Sequence, residues 1–287
     1  MIDRYKKQNL QDREQRSLKY LYKLRWSEGY RCPRCNDERN WQIYDFKYKC
    51  KRCGYQTTVT SGTIFQDTHV PLSTWFEAIL YVVSQRKITN AVELQKEFDL
   101  GSYRTAWMML NKIREAMSYS MPDKLRGNVL VDTFPITANK SIYAFIAVEL
   151  NNGVIGRISI NVPEKGVSLN TLYDFIKKNI VQNSTVGLMR SEEYYALSRR
   201  DYDLRFIPQA NDGKGLLEGV DEVVLDMKKR GLLGSIKGLS RKHIDSYLVE
   251  CCFKYNGRNQ NGKQLFDMII QGALQLQPKP YKEIVLN

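Results

Sequence analysis

Two short cysteine pairs restrict the folding of this chain more than any other feature. Cys32-Pro33-Arg34-Cys35 and Cys50-Lys51-Arg52-Cys53 are separated by 14 residues. Each C-x-x-C turn can present two thiolates to one cation, and a spacer of this length forms a hairpin between the turns. The pattern therefore predicts a tetrahedral four-cysteine Zn2+ site. Trp41-Gln42-Ile43-Tyr44 and Tyr48-Lys49 read as the strands of that hairpin. So small a unit lacks a core of its own, and the metal serves as its staple, so zinc binding by itself does not imply DNA contact. Six cysteines in 287 residues are too few for a disulfide scaffold. Cys251 and Cys252 are not in a metal spacing and are expected in a core.

A chain of 287 residues has room for two or more folding units. The expected divisions are a basic N-terminal helix in 1–29, a zinc ribbon in 30–68, a helical segment in 69–120, an α/β domain in 121–275 and a tail in 276–287. In the first, Leu18, Leu21 and Leu24 fall near helical spacing. In the third, Thr74-x-x-Glu77 is a capping-box pattern ahead of Phe76, Ile79, Leu80 and Val83, and Asn90-x-x-Glu93 opens a short helix holding Leu94 and Phe98. The turn Asp99-Leu100-Gly101-Ser102 then leads to a helix carrying Ala106, Leu110, Ile113 and Met117. Two short helices joined by a glycine-containing turn predict a helix-turn-helix, with Tyr103, Arg104 and Trp107 near the start of its recognition helix. This segment has only 6 basic and 5 acidic residues, which leaves open a connector or a dimer interface.

From residue 126 short apolar runs alternate with helical ones. Strands are expected at 128–132, 142–148, 154–160, 185–188 and 204–208, with a hairpin turn at Asn151-Asn152-Gly153. Helices are expected at 169–180, 192–197, 217–229 and 240–255. Three meandering strands, a crossover helix and two further strands flanked by helices describe an RNase H-like α/β domain. The fold class is thus α+β and multidomain.

Charge narrows the partners. A formal net charge of +13 favours polyanions, and no apolar run approaches the roughly 18–20 residues of a bilayer span. The start, Met1-Ile2-Asp3-Arg4-Tyr5-Lys6-Lys7, has no apolar stretch behind its positive charges, so an intracellular protein is expected. Lys228, Lys229, Arg230, Lys237, Arg241 and Lys242 form a basic run with no acid among them, either a DNA path or a solvated helix end and loop.

Nucleotidyl transfer on an RNase H-like fold uses carboxylates from the first strand, the fourth strand and a later helix to hold two divalent ions. Asp132 meets the first requirement; read alone, it could equally be a turn residue. The order of parts resembles the DDE transposases of the Merlin type and their related bacterial insertion sequences. The resemblance runs from Tyr30 to about Asn259. It is carried by the cysteine pairs, Ser61-Gly62-Thr63-Ile64-Phe65, Thr105-Ala106-Trp107, Lys229-Arg230-Gly231, Ser240-Arg241-Lys242-His243 and Phe253-Lys254-Tyr255-Asn256. It implies that Asp132 is the first acid and Glu222 the third, although Thr133 and Gly219 depart from the usual pattern. Glu222 could also be a solvated acid beside Glu218 and Asp226. The second acid falls on Met189, and a neutral thioether is a poor ligand for Mg2+ or Mn2+. Glu192 or Glu193 stand one turn further on.

The resulting expectation is a double-stranded-DNA-binding protein derived from a DDE transposase. It keeps a structural Zn2+, has lost or weakened cleavage and strand transfer, and forms a homodimer or higher oligomer by resemblance. Mg2+ or Mn2+ enters only where the catalytic site works. The rival expectations are an active cut-and-paste transposase and a non-catalytic scaffold for protein partners.

Overall fold

A computed structural model describes residues 2–121, 124–136, 141–189, 202–207, 217–234 and 241–279. The chain divides into two compact units. The first comprises residues up to 84, 91–120 and from 261 on; the second comprises 85–90 and 121–260.

In the first unit, helix α1 (Ile2–Arg25) is followed by a three-stranded antiparallel sheet of β1 (Asn40–Tyr44), β2 (Lys47–Cys50) and β3 (Gln56–Thr58). An aromatic nest joins the end of α1 to the sheet. Trp26 and Tyr30 rings lie 5.1 Å apart, Trp26 and Tyr48 5.4 Å, and Tyr30 and Tyr48 5.3 Å. Contacts of this kind each contribute about 0.5–1.5 kcal/mol beyond area burial. Arg25 adds a polar tie, donating from Nη1 to the Val59 carbonyl at 2.7 Å. Leu21 is fully buried, whereas Leu24, expected on the same face, is 36% exposed, because Trp26 and the ribbon rings set which side of α1 is covered.

Helices α2 (Leu72–Ser84), α3 (Ala91–Glu97) and α4 (Tyr103–Ser120) follow. The expected cap at Thr74 is corrected: α2 begins two residues earlier, and its first amides, on Leu72 and Ser73, donate to the Glu14 carboxylate at 2.9 and 2.8 Å. A negative group there also suits the helix dipole. Asn90 stands just ahead of α3 as expected. In the turn into α4 the left-handed residue is Asp99 (φ 47°), not Gly101. Ala106, Leu110, Ile113 and Met117 are all buried.

Helix α8 (Gly262–Gln275) has no counterpart in the sequence expectations. Asn261-x-x-Gln264 forms its capping box, with the Asn261 side chain accepting from the Gln264 amide at 3.0 Å. It packs on α4 in the first unit, although the sequence division ran the α/β domain to residue 275. Gly272 permits the approach, since a Cβ there would overlap the Ala116 carbonyl oxygen.

The second unit holds β4 (Asn128–Pro135), β5 (Tyr143–Asn151), β6 (Val154–Asn161), α5 (Leu169–Asn179), β7 (Thr185–Met189), β8 (Asp203–Ile207), α6 (Glu218–Lys229) and α7 (Arg241–Asn256). The sheet order is β6-β5-β4-β7-β8. The first three strands are an antiparallel meander, and β7 and β8 run parallel to β4. The β5–β6 turn uses Asn152 and Gly153 at φ 52° and 82°, the backbone a two-residue hairpin requires. Both sheet faces are covered. Phe145 and Ala147 face a core with Leu172, Phe175 and Ile176 of α5. Ala144, Ile146 and Val148 face a core with Val220, Val224, Ile244, Leu248, Cys251 and Cys252 of α6 and α7. Such a strand reads as a continuous apolar run rather than an alternating one.

Residues 85–90 also belong to this unit, although they were expected with the helical segment. The Thr89 amide donates to Glu250 Oε1 at 3.0 Å, and the same buried carboxylate pairs with Lys254 at 2.8 Å. The proposed helix at 192–197 lies outside the described residues.

Candidate functional site: a thiol cluster and a strand acid

The four ribbon cysteines converge. Their sulfurs all lie within 4.8 Å of one another, with Cys32–Cys53 and Cys35–Cys50 each at 3.6 Å. The two knuckles repeat one local geometry. Asn36 N donates to the Cys32 carbonyl at 2.8 Å and Gly54 N to the Cys50 carbonyl at 3.1 Å. The residues just after the second cysteine of each pair, Asn36 and Gly54, take φ values of 59° and 71°. These turns explain why Asn and Gly follow the cysteines, since both tolerate the left-handed region.

Four sulfurs this close cannot all ionise unless a cation lies among them. At Cys32 burial raises the thiol, but donation from the Arg34 and Cys35 amides wins and holds it down to about 6. At Cys35 the Asp37 amide lowers the thiol, yet burial and the three neighbouring sulfurs push it up to about 12. The donor set and its spacing fit a structural Zn2+ held by Cys32, Cys35, Cys50 and Cys53. Sequence reasoning missed the supporting shell. The Tyr30 hydroxyl is buried beside the Cys32 thiol, and the clue was the aromatic residue two positions before Cys32.

The acid on β4 is built differently, and it is not at the strand's end as expected: pairing with β5 carries the strand on to Pro135. Asp132 lies within β4, and its two oxygens accept from Thr133 N at 2.7 Å and from Leu217 N, at the entry to α6, at 2.9 Å. Burial raises its carboxyl above the usual range, and the two amides act against that. The β4–β7 register ends with Val131 opposite Leu188, and Met189 is the last residue of β7. Glu222 is exposed on α6, five residues beyond Leu217, and its charge acts on Tyr255 of α7. Among the described residues, the only group of three or more potential metal ligands is the cysteine cluster. Glu192 and Glu193 lie outside the described residues.

The expected basic path is partly engaged in structure. Arg230 pairs with Asp226 at 2.7 Å, and Arg241 donates to the carbonyls of Pro163 and Glu164. Lys228 and Lys229 are exposed at the end of α6; Lys237 and the side chain of Lys242 lie outside the described residues. His243 is half-buried on α7. On α4, Tyr103 is 53% exposed, Arg104 is exposed and Trp107 is half-buried. Among the described residues, no helix is long and apolar enough to cross a membrane.

Comparison with known proteins matches residues 13–56 to the transposase zinc-ribbon domain. The chain is also similar to an uncharacterised protein in transposable element ISH50 of Halobacterium salinarum, at 29% identity over 130 residues. That match covers 44% of this chain and 42% of the relative.

Proposed function

The chain is related to the insertion-sequence transposases, and from that premise we propose a DNA-binding protein on a transposase plan whose cleavage activity is lost or weakened. Numbering the second unit's strands from β4 gives the order 3-2-1-4-5, with the first three antiparallel and the last two parallel to the first. That order supports reading the unit as RNase H-like. Helices α2 to α4 supply the outline of a helix-turn-helix, with Tyr103, Arg104 and Trp107 toward duplex DNA. Lys228 and Lys229 would add phosphate neutralisation.

One observation carries the reading of lost cleavage: the β4–β7 pairing ends at Val131 and Leu188, and the residues that follow are Asp132 on β4 and Met189, the last residue of β7. Two-metal catalysis needs an anionic oxygen shared between the ions at such a position, and a thioether supplies neither charge nor hard donor. Asp132 itself is turned to a structural task, fixing the entry to α6 through Leu217. Zn2+ at the four cysteines would hold the ribbon and take no part in cleavage.

The test is a Mg2+- or Mn2+-dependent nicking assay on DNA carrying inverted repeats. The expected result is no cleavage by the native chain, with activity appearing in Met189→Asp. Robust native cleavage abolished by Asp132→Ala would overturn the inactive reading and favour a working enzyme with a substitute acid. Salt-dependent retention on duplex DNA tests the binding half, because a scaffold for protein partners shows no steep salt slope.

A further inference from the structure

The outer face of the ribbon hairpin carries two exposed aromatic rings that the zinc site does not use. Trp41 is 62% exposed and Tyr44 is 70% exposed. Three residues apart on a regular strand, they would point to opposite faces. The β1–β2 register prevents this. Trp41 stands opposite Lys49, Gln42 opposite Tyr48, and then Tyr44 opposite Lys47, so Ile43 is an extra residue in a bulge. Directly opposed residues share a face, and Lys47 and Lys49 are two apart on β2. Trp41 and Tyr44 therefore lie on one face together with both lysines, separated by roughly 7 Å, two strand rises. Tyr48 and Cys50 take the other, buried face.

Lys51 extends the same row and sits over the Trp41 ring, with Nζ 4.0 Å from its centroid. Two nearby acids are already engaged, Asp37 with Arg39 at 2.9 Å and Glu38 with Arg31 at 2.8 Å, and the hairpin turn between Tyr44 and Lys47 adds the exposed Asp45. Three lysines against that one acid leave a strip of net positive charge with two rings standing out of it.

We propose that this strip binds an unpaired DNA strand, with Trp41 and Tyr44 stacking on bases and Lys47, Lys49 and Lys51 following the backbone. Rings on a cationic surface match single strands because every base offers a π-face once it leaves the duplex, whereas paired bases keep theirs stacked. A protein partner would need an acidic surface to meet the lysines and would gain nothing from their alternation with the rings. The inference goes beyond duplex binding by the helical segment and names a second substrate form for the ribbon.

The experiment uses the full zinc-loaded chain and fluorescence anisotropy with a labelled thymidine oligomer of roughly 16 nucleotides and a duplex of equal length. Trp41→Ala is expected to weaken single-strand binding about tenfold, and Tyr44→Ala to weaken it severalfold. Duplex affinity should stay within about twofold, and Trp41→Phe should retain most single-strand affinity, because it keeps a stacking ring. Lys49→Ala should reduce the salt slope for the single strand by roughly 0.7. Zinc content and circular dichroism matching the parent chain establish that each variant is folded. Absence of single-strand binding, or unchanged binding in the Trp41→Ala, Tyr44→Ala double variant, overturns the proposal. Failure of duplex binding alone, with the aromatic effect intact, overturns the helix-turn-helix reading and leaves this one standing.

Discussion

The thiol cluster and the acid on β4 are assembled on opposite principles. The thiols come from two four-residue turns whose backbone hydrogen bonds are local, so four ligands meet within 4.8 Å. Asp132 accepts from the neighbouring Thr133 amide and from the amide of Leu217, 85 residues further along the chain. A site encoded by short spacing is complete within its motif. One that draws on distant elements is assembled only when the sheet and its covering helix form.

Removing one thiol should produce the largest effect. Cys50→Ser is expected to lose the zinc and unfold the ribbon, since metal binding supplies roughly 10–16 kcal/mol to small zinc units. The second unit, whose described residues hold no cluster of three or more potential metal ligands, should keep its sheet. Metal analysis with far-ultraviolet circular dichroism checks both halves, and collapse of the sheet as well would break the contrast.

A smaller loss is expected at Gly272. Gly272→Ala forces α8 away from the Ala116 carbonyl and should cost about 3 kcal/mol, read from denaturant unfolding. This result would show that the first unit depends on a backbone contact as well as on its metal.

The second unit's counterpart is the Glu149 carboxylate, which is buried and accepts from Arg157 Nη2 at 2.8 Å and Arg126 N at 3.0 Å. Arg157 is the main cause holding its carboxyl below the usual range, against burial and helped by Arg126. Because the folded group is depressed, its contribution is present above the ordinary carboxylate pKa and is lost as pH falls through the folded value. Glu149→Gln should cost about 2–3 kcal/mol at neutral pH and flatten the acid limb of the stability profile. An unchanged acid limb would assign that lability to other groups.

The smallest effect tests the task given to Asp132. Asp132→Asn keeps an acceptor for only one of the Leu217 and Thr133 amides and should cost about 0.5 kcal/mol, whereas Asp132→Ala loses both acceptors and should cost about 1 kcal/mol. A large stabilisation in Asp132→Asn would instead mark a carboxylate held in place for a metal at the expense of the fold.

Much of this molecule was legible before its structure. The cysteine spacing, the run of buried strands and the Asn-Gly turn each encode local geometry, so the ribbon ligands and most element positions follow from them. Leu24, the cap of α2 and helix α8 were misread or missed for a shared reason. Each depends on a partner distant in sequence: the ribbon rings, Glu14 and α4. The Asn261-x-x-Gln264 cap was present as a signal, but nothing local says that the helix it starts returns to the first unit.

By itself the sequence determined which side chains are available: four thiols in metal spacing, an acid following an apolar run, and a basic excess. Tertiary structure alone decided which of them meet. A bulge at Ile43 turns Tyr44 onto the face of Trp41, and the amide at the start of α6 bonds the Asp132 carboxylate. Residue type is a local property of the chain, whereas register and facing are fixed only when strands pair and both sides of a sheet are covered.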